Sequence, residues 1–534
     1  MGSAQVATYA DDIAWVRRYN GPGNGTDVAR AIVVDGSGNV YVTGYSYGGS
    51  TPNYDFATIK YSTLGESLWA VRYNYANNAD SACAIAIDDS GYVYVTGSSW
   101  NGSNMDYATI KYDSIGNQKW VARYNYSNGN DYARAIAVDD SGNVYVTGYS
   151  YGNYYDYATI KYKPNGDTAW VRRYDGPRHR DDYAYAIAVD SLGNVYVTGS
   201  SESSGTYLDY TTIKYGPSGE KLWVKRYNGP GNGEDYSYAI TVDKSGYVYV
   251  TGGSTGSATM YDYATIKYNA NGDTLWVRRY NGPGNGSDYA RAIAVDQNGN
   301  IYVTGVSTGS GNQQEDYATI KYNSSGVMQW EARYNYAEGK DYAYGIAVSS
   351  SMRNVYVTGA SWGGTNMDYA TIKYYSRGNV VSQEKEWRYD KGGSDYSYAI
   401  ALDNSGGVYV TGYSDSANNY DYLTIKYTPP VGVEENRCEH QIPSEVNLKV
   451  CPTFGVGTKI RYSLQEAGKV SLQLFDISGR LIKTLTDEYK EPGVWTVTWD
   501  GRDEQNNKTR SGLYFLMLKA EGRRVRRKVL LLRE

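Results

Sequence analysis

A Tyr-Val-Thr-Gly run occurs eight times, ending at Gly44, Gly97, Gly148, Gly199, Gly252, Gly305, Gly359 and Gly412, at intervals of 51 to 54 residues. A period of that length restricts a chain to a propeller or a solenoid. Within each unit four short segments alternate apolar and polar residues and are separated by Gly, Asn and Ser turn signals. The unit spanning 131 to 174 shows them in order: strand A at Asp131 to Val138, B at Asn143 to Gly148, C at Asp156 to Tyr162 and D at Trp170 to Tyr174. Four antiparallel strands per repeat make a propeller blade, and radial repetition shields the sheet edges. A linear stack of such units would need atypical capping repeats, and the sequence contains none.

The ends of the array indicate how the ring closes. Strands A, B and C each occur eight times, but only seven D strands follow them, beginning at Trp69, Trp120, Trp170, Trp223, Trp276, Trp330 and Trp387. The eighth is at the start: Ala14-Trp15-Val16-Arg17-Arg18-Tyr19 is a D strand with no A, B or C before it. The last unit ends at strand C, Asp421 to Tyr427. The expected fold is therefore all-β, an eight-bladed propeller of four-stranded blades whose N-terminal strand completes the last blade.

These units resemble the bacterial β-propeller repeat known as SBBP, over about residues 5 to 427. The resemblance implies the propeller fold and a tendency to extracellular location, and it brings no catalytic motif. The first residues, 1 to 4, lack the basic and apolar regions of a signal peptide and read as a cloning remnant. An exported protein would then carry a leader outside this sequence.

Composition changes after Tyr427. Residues 428 to 447, opening with Thr428-Pro429-Pro430-Val431-Gly432, read as a stiff linker. Of the four Phe in the chain, three lie beyond residue 436, with only three of the 62 Tyr. Lys459 to Ser463, Lys469 to Phe475, Trp495 to Trp499, Leu513 to Leu518 and Val525 to Leu532 alternate as strands of a small sandwich. Phe475-Asp476-Ile477-Ser478-Gly479-Arg480, Trp499-Asp500-Gly501-Arg502-Asp503, Ser511-Gly512-Leu513-Tyr514-Phe515 and the closing Lys528-Val529-Leu530-Leu531-Leu532 resemble the immunoglobulin-like domain shared by flagellar hook-capping proteins and type IX secretion sorting tails. The resemblance covers residues 448 to 534 and implies a role in secretion or surface attachment. At its start Cys451-Pro452-Thr453-Phe454 replaces the usual Asn-Pro-Phe. Arg523, Arg524, Arg526, Arg527 and Lys528 suit an anionic surface, or equally a solvated edge strand protected by like charges.

The net charge of -5 is unevenly divided. Beyond residue 436 stand 18 Lys and Arg against 12 Asp and Glu, leaving 34 against 45 before it. An acidic propeller repels phosphate backbones, so no nucleic-acid partner is expected. No segment reaches the roughly 18 consecutive apolar residues of a membrane span. Cys438 and Cys451 are close enough in sequence to pair, and Cys83 reads as a small buried hydrophobe. With two histidines, His179 and His440, no His-based triad or zinc set can form within the ring. No catalytic residue, metal or cofactor is expected.

In this strand order the B to C and D to A loops open on one face and the short, similar A to B and C to D turns on the other. The first face carries nearly all the variation and is the expected working surface. Its loops are rich in Tyr, Trp, Asn, Ser and Gly, a set that stacks on sugar rings or packs on peptides while the rim donates and accepts hydrogen bonds. Trp100 and Trp362 head two near-identical loops, ending at Met105 and Met367, and either grip a ligand or cover the rims of their blades. Tyr151, Tyr154, Tyr413, His179 and Arg180 are further loop candidates. The fourth residue of strand A varies around the ring as Arg30, Cys83, Arg134, Tyr185, Tyr238, Arg291, Tyr344 and Tyr398. These side chains either hold an anionic or sugar ligand at the axis or merely fill it.

Two rings of eight Asp precede strands A and C, at Asp27, Asp80, Asp131, Asp182, Asp235, Asp288, Asp341 and Asp395, and at Asp55, Asp106, Asp156, Asp209, Asp262, Asp316, Asp368 and Asp421. Occurrence in every blade marks them as scaffold, with Asp156 expected beside Arg173. By the same pairing, Lys161 is expected to cover Trp170. The leading functional reading is a secreted or cell-surface protein whose loop face binds a glycan or peptide. The alternatives are a self-associating matrix component and an Asp or Tyr based polysaccharide lyase or glycosidase.

Overall fold

The computed structural model describes residues 12–49, 53–203, 205, 207–311, 314–349, 354–416, 419–428, 447–451, 458–464, 466–491, 493–509, 512–520 and 523–531. Residues 1 to 4, most of the linker, Cys438, His440 and Pro452 to Phe454 lie outside them. The chain divides into two compact units, Met1–Pro429 and Pro430–Glu534. No helix is long and apolar enough to cross a membrane.

The first unit is the eight-bladed propeller. Seven sheets run A-B-C-D in chain order, and the eighth joins Ile13–Tyr19 to Asn419–Tyr427, Val408–Ser416 and Asp395–Leu402. The N-terminal strand supplies strand D of the last blade, with Trp15 opposite Lys426, Arg17 opposite Thr424 and Tyr19 opposite Tyr422. Asp12, just before it, accepts from Thr428 N–H through its carbonyl at 2.8 Å. Its carboxylate pairs with Lys385 of the seventh blade. The orphan segment thus fastens both to the last blade and to its neighbour.

Adjacent blades are tied by a repeated set of polar bonds, which accounts for much of the tyrosine. The tyrosine that follows the Asp of strand C sits at the interface between blades, and its hydroxyl donates to a strand C carbonyl of the next blade. Tyr107 reaches Ala158, Tyr157 reaches Thr211, Tyr317 reaches Ala370, and Tyr422 reaches Ala57 across the closure, all at 3.1 Å. Phenylalanine stands at this position only in the first blade, as Phe56. A buried ring with its hydroxyl satisfied supplies apolar contact and orientation together. Strand D tryptophans act similarly: Trp15 Nε1 donates to the Thr63 carbonyl at 3.1 Å and Trp170 Nε1 to that of Pro217 at 3.2 Å.

The signature glycine has a packing cause. A Cβ on Gly148 would stand 2.0 Å from the Tyr132 carbonyl oxygen, and the other seven signature glycines face the same obstruction at 1.8 to 2.1 Å. The obstructing backbone belongs to strand A, where every blade carries a β-bulge at its fourth residue, as between Ala133 and Ala135. Removing the side chain on strand B lets the bulge close against it. Gly148→Ala is expected to cost about 1–3 kcal/mol by overpacking, measured by denaturant unfolding. An unchanged midpoint would show that the blade relaxes around the methyl group.

Two expectations about strand D are corrected. The strands begin two residues before the tryptophan, as in Thr168–Tyr174, and the seventh extends over Val380–Tyr389. There Lys385 occupies the position opposite strand C that tryptophan holds elsewhere, and Trp387 pairs two residues along, opposite Thr371. Its ring nevertheless meets the last tyrosine of the next strand C, Tyr427, at 4.7 Å, as Trp330 meets Tyr374 one blade earlier. Lys161 does face Trp170 in register, but its ammonium lies over Tyr145, 5.0 Å from the centroid, and donates to the Pro217 carbonyl at 3.1 Å. The carbonyl of the next blade, which also accepts from Trp170 Nε1, outcompetes the indole face for the cation.

Among its described residues the second unit is a sandwich of seven strands, two more than the alternation indicates. Asn447–Cys451, Thr458–Leu464 and Gly493–Trp499 form one sheet; Leu481–Lys490, Gly468–Phe475, Gly512–Ala520 and Arg523–Leu531 form the other. Trp499, Leu472, Leu474, Leu516 and Leu518 are fully buried between them. Arg523–Leu531 is an edge strand on which Arg523, Arg524, Arg526 and Arg527 keep out of the core.

Candidate functional site

The bulge decides what the propeller axis presents. Strand A is the innermost strand, and an extra residue there turns its side chain out of the regular alternation. The bulged residues are Arg30, Cys83, Arg134, Tyr185, Tyr238, Arg291, Tyr344 and Tyr398, one per blade. They meet side by side. The Tyr185 and Tyr238 centroids lie 5.7 Å apart and those of Tyr344 and Tyr398 5.3 Å apart. Arg291 lies over Tyr238 at 4.5 Å, and Arg30 over Tyr398 at 4.7 Å. Arg134 lies over Tyr149 at 5.0 Å and donates to its hydroxyl. Cys83 donates to the Ala133 carbonyl at 3.1 Å, and burial pushes its thiol up to about 11 despite the nearby Arg134 and Arg30. Burial likewise raises the Tyr185 and Tyr344 phenols, which therefore remain donors at neutral pH.

Arginine pairing separates this ring from the scaffold. Strand D arginines next to the closing tyrosine are matched to the Asp ring before strand C: Arg173 to Asp156 at 2.5 Å, Arg72 to Asp55, Arg279 to Asp262 and Arg333 to Asp316 at 2.7 Å, and Arg18 of the closing strand to Asp421 at 3.7 Å. The arginines one position earlier, Arg17, Arg172 and Arg278, donate to backbone carbonyls of the next blade. Arg30, Arg134 and Arg291 are exposed. Among the described residues they form no ion pair; their contacts are with tyrosine faces and, for Arg134, the Tyr149 hydroxyl.

The other Asp ring, before strand A, is fully buried. Asp131 accepts from Tyr126 N–H at 2.8 Å, and Asp27 from Gly21 N–H at 2.7 Å and Tyr47 N–H at 3.0 Å. These carboxylates order the D to A loops. Burial pushes Asp80, Asp131, Asp182, Asp235, Asp341 and Asp395 up to about 6. Asp156, Asp175 and Asp182 bring carboxylate oxygens within 4.8 Å of one another, as do Asp368, Asp390 and Asp395. In each group a strand D guanidinium is already bound, Arg173 at Asp156 and Arg388 at Asp368.

Outside the ring lies a cleft of about 420 Å³ lined by Trp362, Tyr342, Tyr396, Met367, Gly339 and Lys340, with Gln314 and Glu338. Trp362 is wedged beside Gly339, where a Cβ would meet its ring at 2.2 Å. Its loop is held by Asn366, which donates to the Gly393 carbonyl of the following D to A loop. Asn104 does the same to Gly129 in the Trp100 loop. These amides are staples rather than free rim donors. Lys340 pairs with Glu315 at 3.0 Å.

Tyrosines link the cleft to the axis. Tyr342 stacks on Tyr344 at 6.4 Å and 21°, and Tyr396 meets Tyr398 at 6.4 Å. Tyr413 joins them, 5.1 Å from Tyr396 and 5.7 Å from Tyr398. On the opposite flank the exposed Tyr151 touches Tyr155, which contacts Tyr149 and Tyr183, and Tyr183 stacks on Tyr185. Arg180 lies over Tyr154 at 5.6 Å. His179 is held by Asp175 of its own loop at 2.6 Å, which raises its pKa. Trp100 makes no ring contact among the described residues and stands apart from the cleft. Sequence reasoning passed over Tyr342 and Tyr396, although Tyr at the second position of strand A in six of eight blades is a readable signal.

A β-propeller repeat model matches residues 14–50, 68–103, 119–155, 170–205, 222–257, 275–312 and 390–421. The unmatched unit is the seventh blade's, where Ser349 to Asn354 replaces the Asp and Gly of the usual A to B turn. A FlgD Ig-like domain model matches residues 454–523. No curated protein matches the chain. Among solved structures, Sqt1 from Chaetomium thermophilum is similar at a TM-score of 0.51 and 11% identity, covering 78% of this chain and 98% of that one. PorZ, described as a surface component of the type IX secretion system of Porphyromonas gingivalis, aligns at 0.39 and 14% identity, over 99% of this chain and 71% of that one. The polysaccharide lyase Uly1 aligns at 0.40 and 11%, over 75% and 90%. At these identities the likeness concerns the fold alone. Repeats, closure and the second domain agree: the chain is a β-propeller repeat protein with a C-terminal FlgD Ig-like domain.

Proposed function

We propose that this is a secreted or cell-surface binding protein whose propeller holds a glycan on its loop-bearing face, the Ig-like domain serving secretion or attachment. The observation that carries this reading is the cleft at Trp362. A half-buried indole, two tyrosine faces and a methionine offer flat apolar walls to a sugar ring, and the Lys340–Glu315 pair supplies charged hydrogen-bonding groups at the rim. Its size suits a short saccharide segment, and its walls are fixed by packing and backbone bonds, so little ordering is lost on binding. The resemblance of the second domain to sorting tails supports the location.

The test is a glycan array with the full chain, followed by calorimetry on the best ligand. Trp362→Ala is expected to weaken binding at least about tenfold, with the melting temperature nearly unchanged. Trp100→Ala, away from the cleft, should have a much smaller effect. Absence of glycan binding, or turnover of the bound sugar, would overturn the proposal.

A further inference from the structure

Resting on that reading, we propose that the ligand is an acidic polysaccharide, its sugar rings lying in the Trp362 cleft and its carboxylate or sulfate groups held at the axis by Arg30 and Arg291. The argument begins with charge. The propeller portion is strongly acidic, and its scaffold arginines are held either by a ring of aspartates or, as with Arg17, Arg172 and Arg278, by backbone carbonyls of the next blade. Among the described residues the three exposed axial guanidinium groups have neither kind of partner, only tyrosines. Cation–tyrosine contact orients a guanidinium while leaving its N–H edge able to form bidentate bonds to an oxyanion.

Position selects two of the three. The cleft opens over the seventh and eighth blades, whose axial residues are Tyr344 and Tyr398. Arg291 of the sixth blade and Arg30 of the first stand in the blades on either side of that pair: Arg30 lies over Tyr398, and Arg291, resting on Tyr238, is the axial residue next to Tyr344 around the ring. Tyr342 and Tyr396 are wall residues of the cleft and also touch Tyr344 and Tyr398. An aromatic surface therefore runs from the neutral cleft to a site bracketed by two cations. Arg134, in the third blade, is outside this arc.

The bulges also favour a saccharide over a peptide. An extended peptide binds a sheet edge by continuing its hydrogen-bond ladder. Here all eight inner edges are interrupted at mid-strand, where the bulge breaks the regular spacing of donors and acceptors.

The experiment is calorimetric titration of the full chain with oligogalacturonate, a heparin oligosaccharide, neutral cello-oligosaccharide and poly-aspartate. At least one acidic saccharide should bind at least about tenfold more tightly than the neutral one. Raising salt from about 50 to 500 mM should weaken it several-fold, as expected for solvent-accessible cations. The two saccharides separate carboxylate from sulfate as the recognised anion. The Arg30→Gln/Arg291→Gln variant should lose the acidic preference and keep neutral binding, while Arg134→Gln should change affinity less than about threefold. Neutral binding that depends on Trp362, with no acidic preference or salt dependence in the unaltered protein, would overturn this inference and leave the glycan proposal standing. Loss of all saccharide binding would overturn both. Poly-aspartate binding as tightly as the oligosaccharides would overturn the saccharide assignment.

Discussion

Deletion of residues 1 to 20 is expected to abolish the cooperative unfolding transition of the propeller rather than trim one strand from it. Without Ile13–Tyr19, strand C of the eighth blade becomes an edge with unpaired backbone groups along Asn419–Tyr427. Trp15, buried against Tyr61 of the first blade and Tyr409 of the eighth, is lost from the contact between them. So are the Trp15–Thr63 bond, the Arg18–Asp421 pair and the Asp12–Lys385 pair. The remaining link across the seam includes the Tyr422–Ala57 bond. Each blade buries its apolar surface only against neighbours, so a seam left open removes support from both sides of the break. Trp15→Ala alone is expected to cost about 3–5 kcal/mol. Thermal unfolding and limited proteolysis of the two variants read the effect. A deletion variant that melts within a few degrees of the full chain would show that seven blades and a three-stranded eighth suffice.

The closure was legible in the sequence because it rests on counting. Strand D has an indole at one end and Arg-Tyr at the other, so an orphan copy before the first A strand has only one place to pair. Trp387 shows the limit of that method. Its Trp-Arg-Tyr lacks the two residues that elsewhere separate Trp from Arg, and only the register reveals that Lys385 pairs with the strand C lysine, where the other blades have tryptophan. The scaffold role of the Asp rings was also readable, since each Asp recurs with its partner. Lys161 was misplaced because register says which residues face each other and not which competing acceptor from the next blade is nearer.

For the candidate site, the sequence identified the variable fourth residue of strand A but not the reason it reaches the axis. A bulge leaves no mark in a run such as Asp-Tyr-Ala-Arg-Ala-Ile, where small residues on both sides are compatible with either alternation. The mark lies on the partner strand, as a glycine whose backbone is ordinary and whose missing Cβ is what matters. Trp362 was found as an exception to a repeat. Its pocket partners Tyr342 and Tyr396 were hidden because they are regular: a residue present in most blades looks like scaffold, and only the cleft beside them singles out this pair.

The propeller is expected to be more stable near pH 5 than at pH 7.5, by at least about 5 °C in melting temperature. The cause is the buried Asp ring before strand A. Burial pushes six of its members up to about 6, and raises Asp27 and Asp288 as well, from an unfolded value of 3.8. A carboxyl that holds its proton to higher pH when folded makes folding take up protons between those two values. Stability is therefore full below pH 3.8 for these groups and is lost as pH rises through about 6. Asp35, Asp113 and Asp403 work in the opposite sense: burial opposes ionisation there too, but hydrogen bonds, from Asn39, from Asn117 and from Ser405 and Tyr409 respectively, outweigh it. They are three against the eight of the ring. Asp131→Asn keeps an oxygen to accept the Tyr126 N–H and has no proton to lose, so it should narrow the difference between pH 5 and pH 7.5. Melting curves of both proteins across this range provide the measurement. A midpoint that rises steadily from pH 5 to pH 7.5 would mean that the backbone N–H groups reaching these carboxylates stabilise the charge more than burial penalises it.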